Sequence, residues 1–339
     1  MEHLRMDNRI NIRKQIAYVI KKLAIFIASI FVLSLLVFCL ARLAPGDPLQ
    51  SFYGERAEKM SEAQKDKARE QLGLNENLRV QYIKWLENAL QGNLGISLKY
   101  KQDVITVISE RAGNTAILGG LGFVLTVLLS AALGIICAWN EGRLIDKILC
   151  KVGTVISCIP EFWMSMILIL VFAVALKWLP SSGAYSVGYE YNISDRIRHL
   201  ILPITVVILN HLWYYAYIIR TRLIEEFQKE YVAFEQAKGF GKSHIILRHC
   251  LRGILPVFIS IIAISVPHIL GGTYIIETVF SYPGIGTLCY EAARYHDYNL
   301  LMVLCLMSGI IIIFCNMLCQ VINERTDPRI KLSEVVNEQ

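Results

Sequence analysis

Several polar side chains fall inside or at the ends of otherwise apolar stretches: Glu161, Asn210, His211, His268, Tyr274 and Glu277. In a hydrocarbon setting such groups are costly, and they mark either a polar pathway or hydrogen bonds between helices. Glu161 directly follows Pro160, where a kink is expected. Tyr274 and Glu277 sit at the end of the fifth apolar run and could face its mouth. A second candidate for chemistry is Gly241-Lys242-Ser243, which invites a nucleotide-binding reading. A phosphate-cradling loop needs a glycine five positions before Gly241, and Gln236 stands there. The chain is therefore expected to bind no ATP itself.

Ser, His and Asp are scattered without a nucleophile elbow or a zincin helix, so no catalytic residue is expected. The nine cysteines form no CxxC pair. His211 and His268 lie on different runs and could meet, but no ligand spacing is evident. The expectation is no metal and no cofactor.

The elements that must hold these groups are long apolar runs. Hydrophobic residue types make up 55% of the 339 residues and charged ones 18%, which favours a membrane class over a soluble domain. The runs predict six spans at 19–43, 114–139, 150–179, 199–221, 254–276 and 299–322. The first has 19 uncharged residues from Leu23 to Ala41. At 1.5 Å per residue that crosses roughly 28 Å, close to the hydrocarbon thickness, so it reads as an uncleaved span. The third is too long for one straight crossing, and Pro160 should kink it.

Basic residues orient the chain. Arg13, Lys14, Lys21 and Lys22, then Arg143, Lys147 and Lys151, then the 222–253 loop and the last segment carry most of them. With these sides cytoplasmic, both termini are cytoplasmic. The nucleic-acid reading of the +6 net charge fails, because the basic residues gather at span ends. Residues 45–112 hold ten basic and ten acidic residues and read as an external cap of short helices. Ser61 and Gln64 suit a capping box, Tyr82, Trp85, Leu86 and Ala89 recur at helical spacing, and Gly92 suits a helix end. The remaining divisions are a tail at 1–18, a core at 114–322 and a tail at 323–339.

Between spans four and five, a charged stretch with Phe227, Tyr231 and Phe234 runs up to Ala237-Lys238-Gly239-Phe240-Gly241. Two glycines around one aromatic suit a turn between two helices. The first helix has an aromatic side that can lie in a partner's groove. Pro256 then opens span five, where proline is tolerated.

This loop resembles the EAA loop of ABC importer permeases in the peptide/nickel branch. The matching residues are Tyr231, Ala237, Lys238, Gly239, Arg248, His249, Leu251, Arg252 and Pro256; the Glu-Ala-Ala triplet of the general loop is missing. Further matches follow in order: Pro45-Gly46-Asp47-Pro48, Gly95-Ile-Ser97, Asn114-Thr115, Pro160-Glu-Phe162-Trp163, Glu277-Thr-Val-Phe280, Pro283-Gly284-Ile-Gly286, Asp297-Tyr298 and Asp327-Pro328-Arg329.

The resemblance implies an all-α, six-span type I importer permease in a bacterial cell membrane. It implies a second homologous permease subunit, two ATP-binding subunits, an external substrate-binding protein and surrounding lipid. The docking helix would run from about Lys229 to Lys242, with Tyr231, Glu235, Ala237, Lys238, Gly239, Arg248, His249 and Pro256 as coupling residues. The cargo would be nickel, a nickel chelate or di- and oligopeptides, and Gly272 to Glu277 leans toward the nickel members. The alternatives are a secondary transporter or channel, which would work without ATP, and a membrane enzyme.

Overall fold

The computed structural model describes residues 2–43, 59–71 and 75–326, together with Leu49 and Ala57. The Pro45–Pro48 motif, the Asp327–Arg329 motif and the side chains of Arg13 and Lys14 lie outside the described residues. The chain divides into two compact units, Met1–Glu110 with Cys289–Met317, and Arg111–Leu288 with Leu318–Gln339.

In the first unit, α1 (Glu2–Leu43) is one continuous helix. It starts well before the predicted span because no Gly or Pro interrupts it; its early basic residues break the apolar count without breaking the helix. In α2 (Glu62–Gln71), Ser61 N–H donates to Gln64 Oε1 at 3.0 Å, and Gln64 N–H donates to Ser61 Oγ at 3.4 Å. This is a reciprocal capping box. Asn77 caps α3 (Leu78–Leu90), which ends at Gly92 with φ +84°. The Gly92 N–H donates to the Ala89 carbonyl at 3.0 Å. α3 packs Tyr82 edge-on against Phe38 of α1, with ring centroids 5.3 Å apart. The Tyr82 hydroxyl lies 2.8 Å from Ser34 Oγ. Tyr298 and Met302 of α12 (Tyr298–Thr326) complete that core.

The next helix, α4 (Val104–Trp139), starts ten residues before the predicted 114. Val104, Val107 and Ile108 are buried at helical spacing, while exposed Glu110 sits on the solvated side. The last residues of the segment 45–112 are thus the start of this helix.

In the second unit, α5 (Leu144–Ser157) and α6 (Glu161–Leu168), which runs on as a π-helical segment (Ile169–Ala175), are bent by 99°. Pro160 sits at the bend with extended backbone, offering no N–H to continue the first helix. The helix stops at Ala175, short of the predicted 179. α7 (Ile193–Phe227) is longer than predicted at both ends and keeps Pro203 inside. It is followed by α8 (Glu230–Ala237) and α9 (Lys242–Ile245), which continues through a π-helical turn (Ile246–Cys250) and a short turn (Leu251–Gly253). Then come α10 (Leu255–Val279) and α11 (Ile285–Arg294). Among the described residues, five helices are long and apolar enough to cross a membrane, six when the bent pair counts as one crossing.

Small residues bring these helices close. A Cβ at Gly134 would meet the Ala216 carbonyl at 2.8 Å, and Gly153 lies under the Trp213 ring. Close backbone approach of this kind is how apolar helices gain contact in lipid.

Candidate functional site

Two groups of residues carry the candidate function, and both belong to the second unit. The first is the loop from Phe227 to Leu255. α8 buries Val232 in a core with Leu223, Ile245, Cys250 and Ile254. Its other face is exposed, with Phe234 at 62%, and Phe240 and Leu247 beyond it at 43% and 61%. These are large apolar side chains left uncovered within a charged loop.

Gly239 has φ +89°, a conformation other residues adopt only with strain. Its N–H donates to the Gln236 carbonyl at 2.9 Å, turning the chain between α8 and α9. Among the described residues, nothing lies within 4 Å of where its Cβ would be. Lys238 donates to Glu235 at 3.0 Å and sits 4.1 Å above the Phe234 ring. Ala237 and Arg248 are exposed, and half-buried His249 lies between the rings of Tyr231 and His244. Pro256 occupies the first turn of α10, where its missing N–H costs nothing.

The inner side of this loop holds residues that the sequence did not single out. Glu226, in the last turn of α7, is 8% exposed. It accepts from Lys229 Nζ at 2.5 Å and from the Tyr231 hydroxyl at 3.0 Å. Burial pushes the Tyr231 phenol and the Cys250 thiol up from their usual ranges. Lys242 Nζ donates to the Trp139 carbonyl at the end of α4, at 2.8 Å. The signal for Glu226 was helical phase: Ala216, Ile219 and Leu223 form a buried stripe that it continues.

The second group brings together Glu161, Asn210 and His211. Asn210 Nδ2 donates to Glu161 Oε1, and Glu161 Oε2 is buried with no hydrogen-bond partner among the described residues. Gly272 of α10 borders both side chains: its Cβ would lie 2.7 Å from Glu161 Oε1 and 3.2 Å from His211 Cε1. The His211 ring bonds the Val207 carbonyl at 3.0 Å. His268 is exposed, and its Nδ1 lies 3.4 Å from the Tyr215 hydroxyl.

Glu277 and Tyr274 stand apart from this cluster. Glu277 is fully enclosed. Its carboxylate accepts from Thr115 Oγ1 and Gly286 N–H, each at 2.6 Å, and from Thr287 N–H at 3.3 Å. Tyr274 is half-buried and packs its backbone against Gly286. Together they hold the Pro283–Gly286 turn at the start of α11.

A bundle of apolar crossings that gathers carboxyl, amide and imidazole groups around a glycine of a neighbouring helix has the build of a membrane permease. The chain belongs to the family described as "Binding-protein-dependent transport system inner membrane component", whose model matches residues 130–332. The companion N-terminal model matches residues 15–119. It is an ABC importer permease of the peptide/nickel branch. The oligopeptide transport system permease protein AppB of Bacillus subtilis (strain 168) is 31% identical over 93% of this chain and 99% of its own length. The di/tripeptide transport system permease protein DppB of Pseudomonas aeruginosa is 29% identical, with the same coverage. The metal-staphylopine import system permease protein CntB of Staphylococcus aureus is 28% identical over 93% of this chain and 98% of its own. Among solved structures, a chain of the MetNI methionine ABC transporter matches with TM-score 0.50 at 13% identity, covering 64% of this chain and 96% of that one. That likeness supports the type I importer permease fold.

Proposed function

We propose that this chain and a second homologous permease subunit form the transmembrane pathway of an ATP-driven importer of di- or oligopeptides. Its 222–253 loop receives a separate ATP-hydrolysing subunit. The observation that carries this reading is the two-sided loop. Phe234, Phe240 and Leu247 are exposed, while Val232 and Cys250 are packed in a core with Leu223 of α7 and Ile254 before α10. A partner seated on the exposed side can move the spans through the buried side, a rigid-body switch between two accesses.

In this reading both termini and the loop are cytoplasmic in a bacterial cell membrane, as the basic residues suggest. An external binding protein delivers cargo. Glu161, Asn210, His211 and His268 line the passage, and Glu277 with Tyr274 shapes its outer end. AppB and DppB support a peptide cargo. CntB and the Gly272–Glu277 stretch support a metal chelate as the second reading.

The test is uptake into proteoliposomes holding the complete complex and its binding protein. Labelled di- and tripeptides, and labelled nickel with and without a chelator, are supplied with ATP or with a non-hydrolysable analogue. Peptide uptake that needs hydrolysis is expected. Uptake of chelate alone would shift the cargo, and uptake without ATP would favour a secondary transporter.

A further inference from the structure

We propose that Glu226 is the positioning residue that makes the coupling loop a rigid lever, joining α8 to both α7 and the start of α10. The inference rests on the reading that this loop receives the ATP-hydrolysing subunit. It adds the part that turns movement of α8 into movement of the spans.

Three elements converge on one carboxylate. Glu226 belongs to α7, and the Tyr231 hydroxyl reaches it from α8 at 3.0 Å. From the third element, Gly253 lies so close that a Cβ there would press on the Glu226 carboxylate. The Tyr231 hydroxyl also lies 3.7 Å from Cys250 Sγ, so the same ring touches the chain leading into α10. Lys229 Nζ at 2.5 Å balances the buried charge. α8 has only two turns, and Val232 is its one buried residue. A helix so short is not stable by itself and takes its orientation from such bonds. A buried carboxylate sharing its oxygens between separate elements holds them in one geometry, because leaving it unpaired is costly. The exposed loop residues meet the partner; Glu226 meets the spans.

The experiment uses the full chain assembled with its partner permease and ATP-binding subunits in nanodiscs. Hydrogen exchange is followed with and without ATP plus vanadate. In the wild type, nucleotide should alter exchange in α8, at the end of α7 and over the first turns of α10. In Glu226→Ala, exchange of residues 230–238 without nucleotide should rise about tenfold, while residues 200–215 stay unchanged. The nucleotide response should then remain in α8 and be lost from α10. Glu226→Gln, which still accepts from Tyr231, should restore most of it. Tyr231→Phe keeps the Lys229 pair and should give an intermediate loss, which decides the matter if Glu226→Ala does not assemble. Transmission to α10 unchanged in these variants overturns the proposal while leaving the docking reading intact. A wild-type complex in which nucleotide alters nothing in α8 overturns the docking reading itself.

Discussion

Arg220 of α7 grips Asp146 of α5 with two parallel hydrogen bonds, Nε to Oδ1 and Nη2 to Oδ2, each 2.7 Å long. The Asp146 side chain is 3% exposed and also accepts from Gly142 N–H at 3.0 Å. The pair fastens the helix before the Pro160 bend to the end of α7 that leads into the 222–253 loop. Removing one partner of a buried pair leaves the other uncompensated, at about 3–5 kcal/mol. Asp146→Asn should therefore lower thermal stability strongly, whereas Asp146→Leu with Arg220→Met should recover most of it. Unfolding of the purified chain in detergent checks this; a single variant as stable as the wild type would show that the pair is idle.

The Glu277 carboxylate takes three hydrogens at once, from Thr115 Oγ1, Gly286 N–H and Thr287 N–H. An amide in its place must turn an NH2 toward one of those donors. Glu277→Gln should cost about 1–3 kcal/mol. Exchange of the Gly286 and Thr287 amides should accelerate, while that of the coupling loop should not. Equal exchange at Gly286 in the variant would contradict the assigned bonding.

Gly272 leaves room for the Glu161 and His211 side chains. Gly272→Ala would place a methyl 2.7 Å from Glu161 Oε1, forcing that carboxyl to move. If this cluster lines the passage, uptake should fall about tenfold with assembly intact, since a misplaced pathway group acts on the transported species. Glu161→Gln should also lower uptake without loss of stability, because a neutral buried group costs less than a charged one. Full uptake in both would remove the cluster from the pathway.

Much of the fold was legible because its signals were local. Capping at Ser61 and Gln64, the Tyr82 and Trp85 helix, the bend at Pro160 and the turn at Gly239 each rest on a few adjacent residues. Span ends were less legible where charge and helix disagree: Val104 to Arg111 is helical although Glu110 and Arg111 interrupt its apolar run. Pairings far apart in sequence were not legible at all. Gly95-Ile-Ser97 and Asp297-Tyr298 were noticed as separate motifs, yet Ser97 Oγ donates to Asp297 Oδ2 at 2.5 Å, and Lys99 N–H joins it at 3.0 Å. Ser97→Ala should cost about 1–3 kcal/mol by leaving that buried carboxylate short of a donor. Unfolding midpoints in detergent measure it; no change would mean the carboxylate finds water instead. Glu226 is different: its hydrogen-bond partners Lys229 and Tyr231 are near in sequence, and only its approach to Gly253 is distant.

In the proposed function, the loop around Gly239 receives the ATP-hydrolysing subunit. This docking is tested most directly by replacing Phe234 with a photocrosslinking benzoylphenylalanine and irradiating the assembled transporter. A crosslink to the ATP-binding subunit is expected. Gly239→Val should abolish it, because a β-branched residue cannot hold φ +89° without strain. Irradiation that yields no such crosslink, in a complex that still hydrolyses ATP and takes up cargo, would contradict docking at this loop.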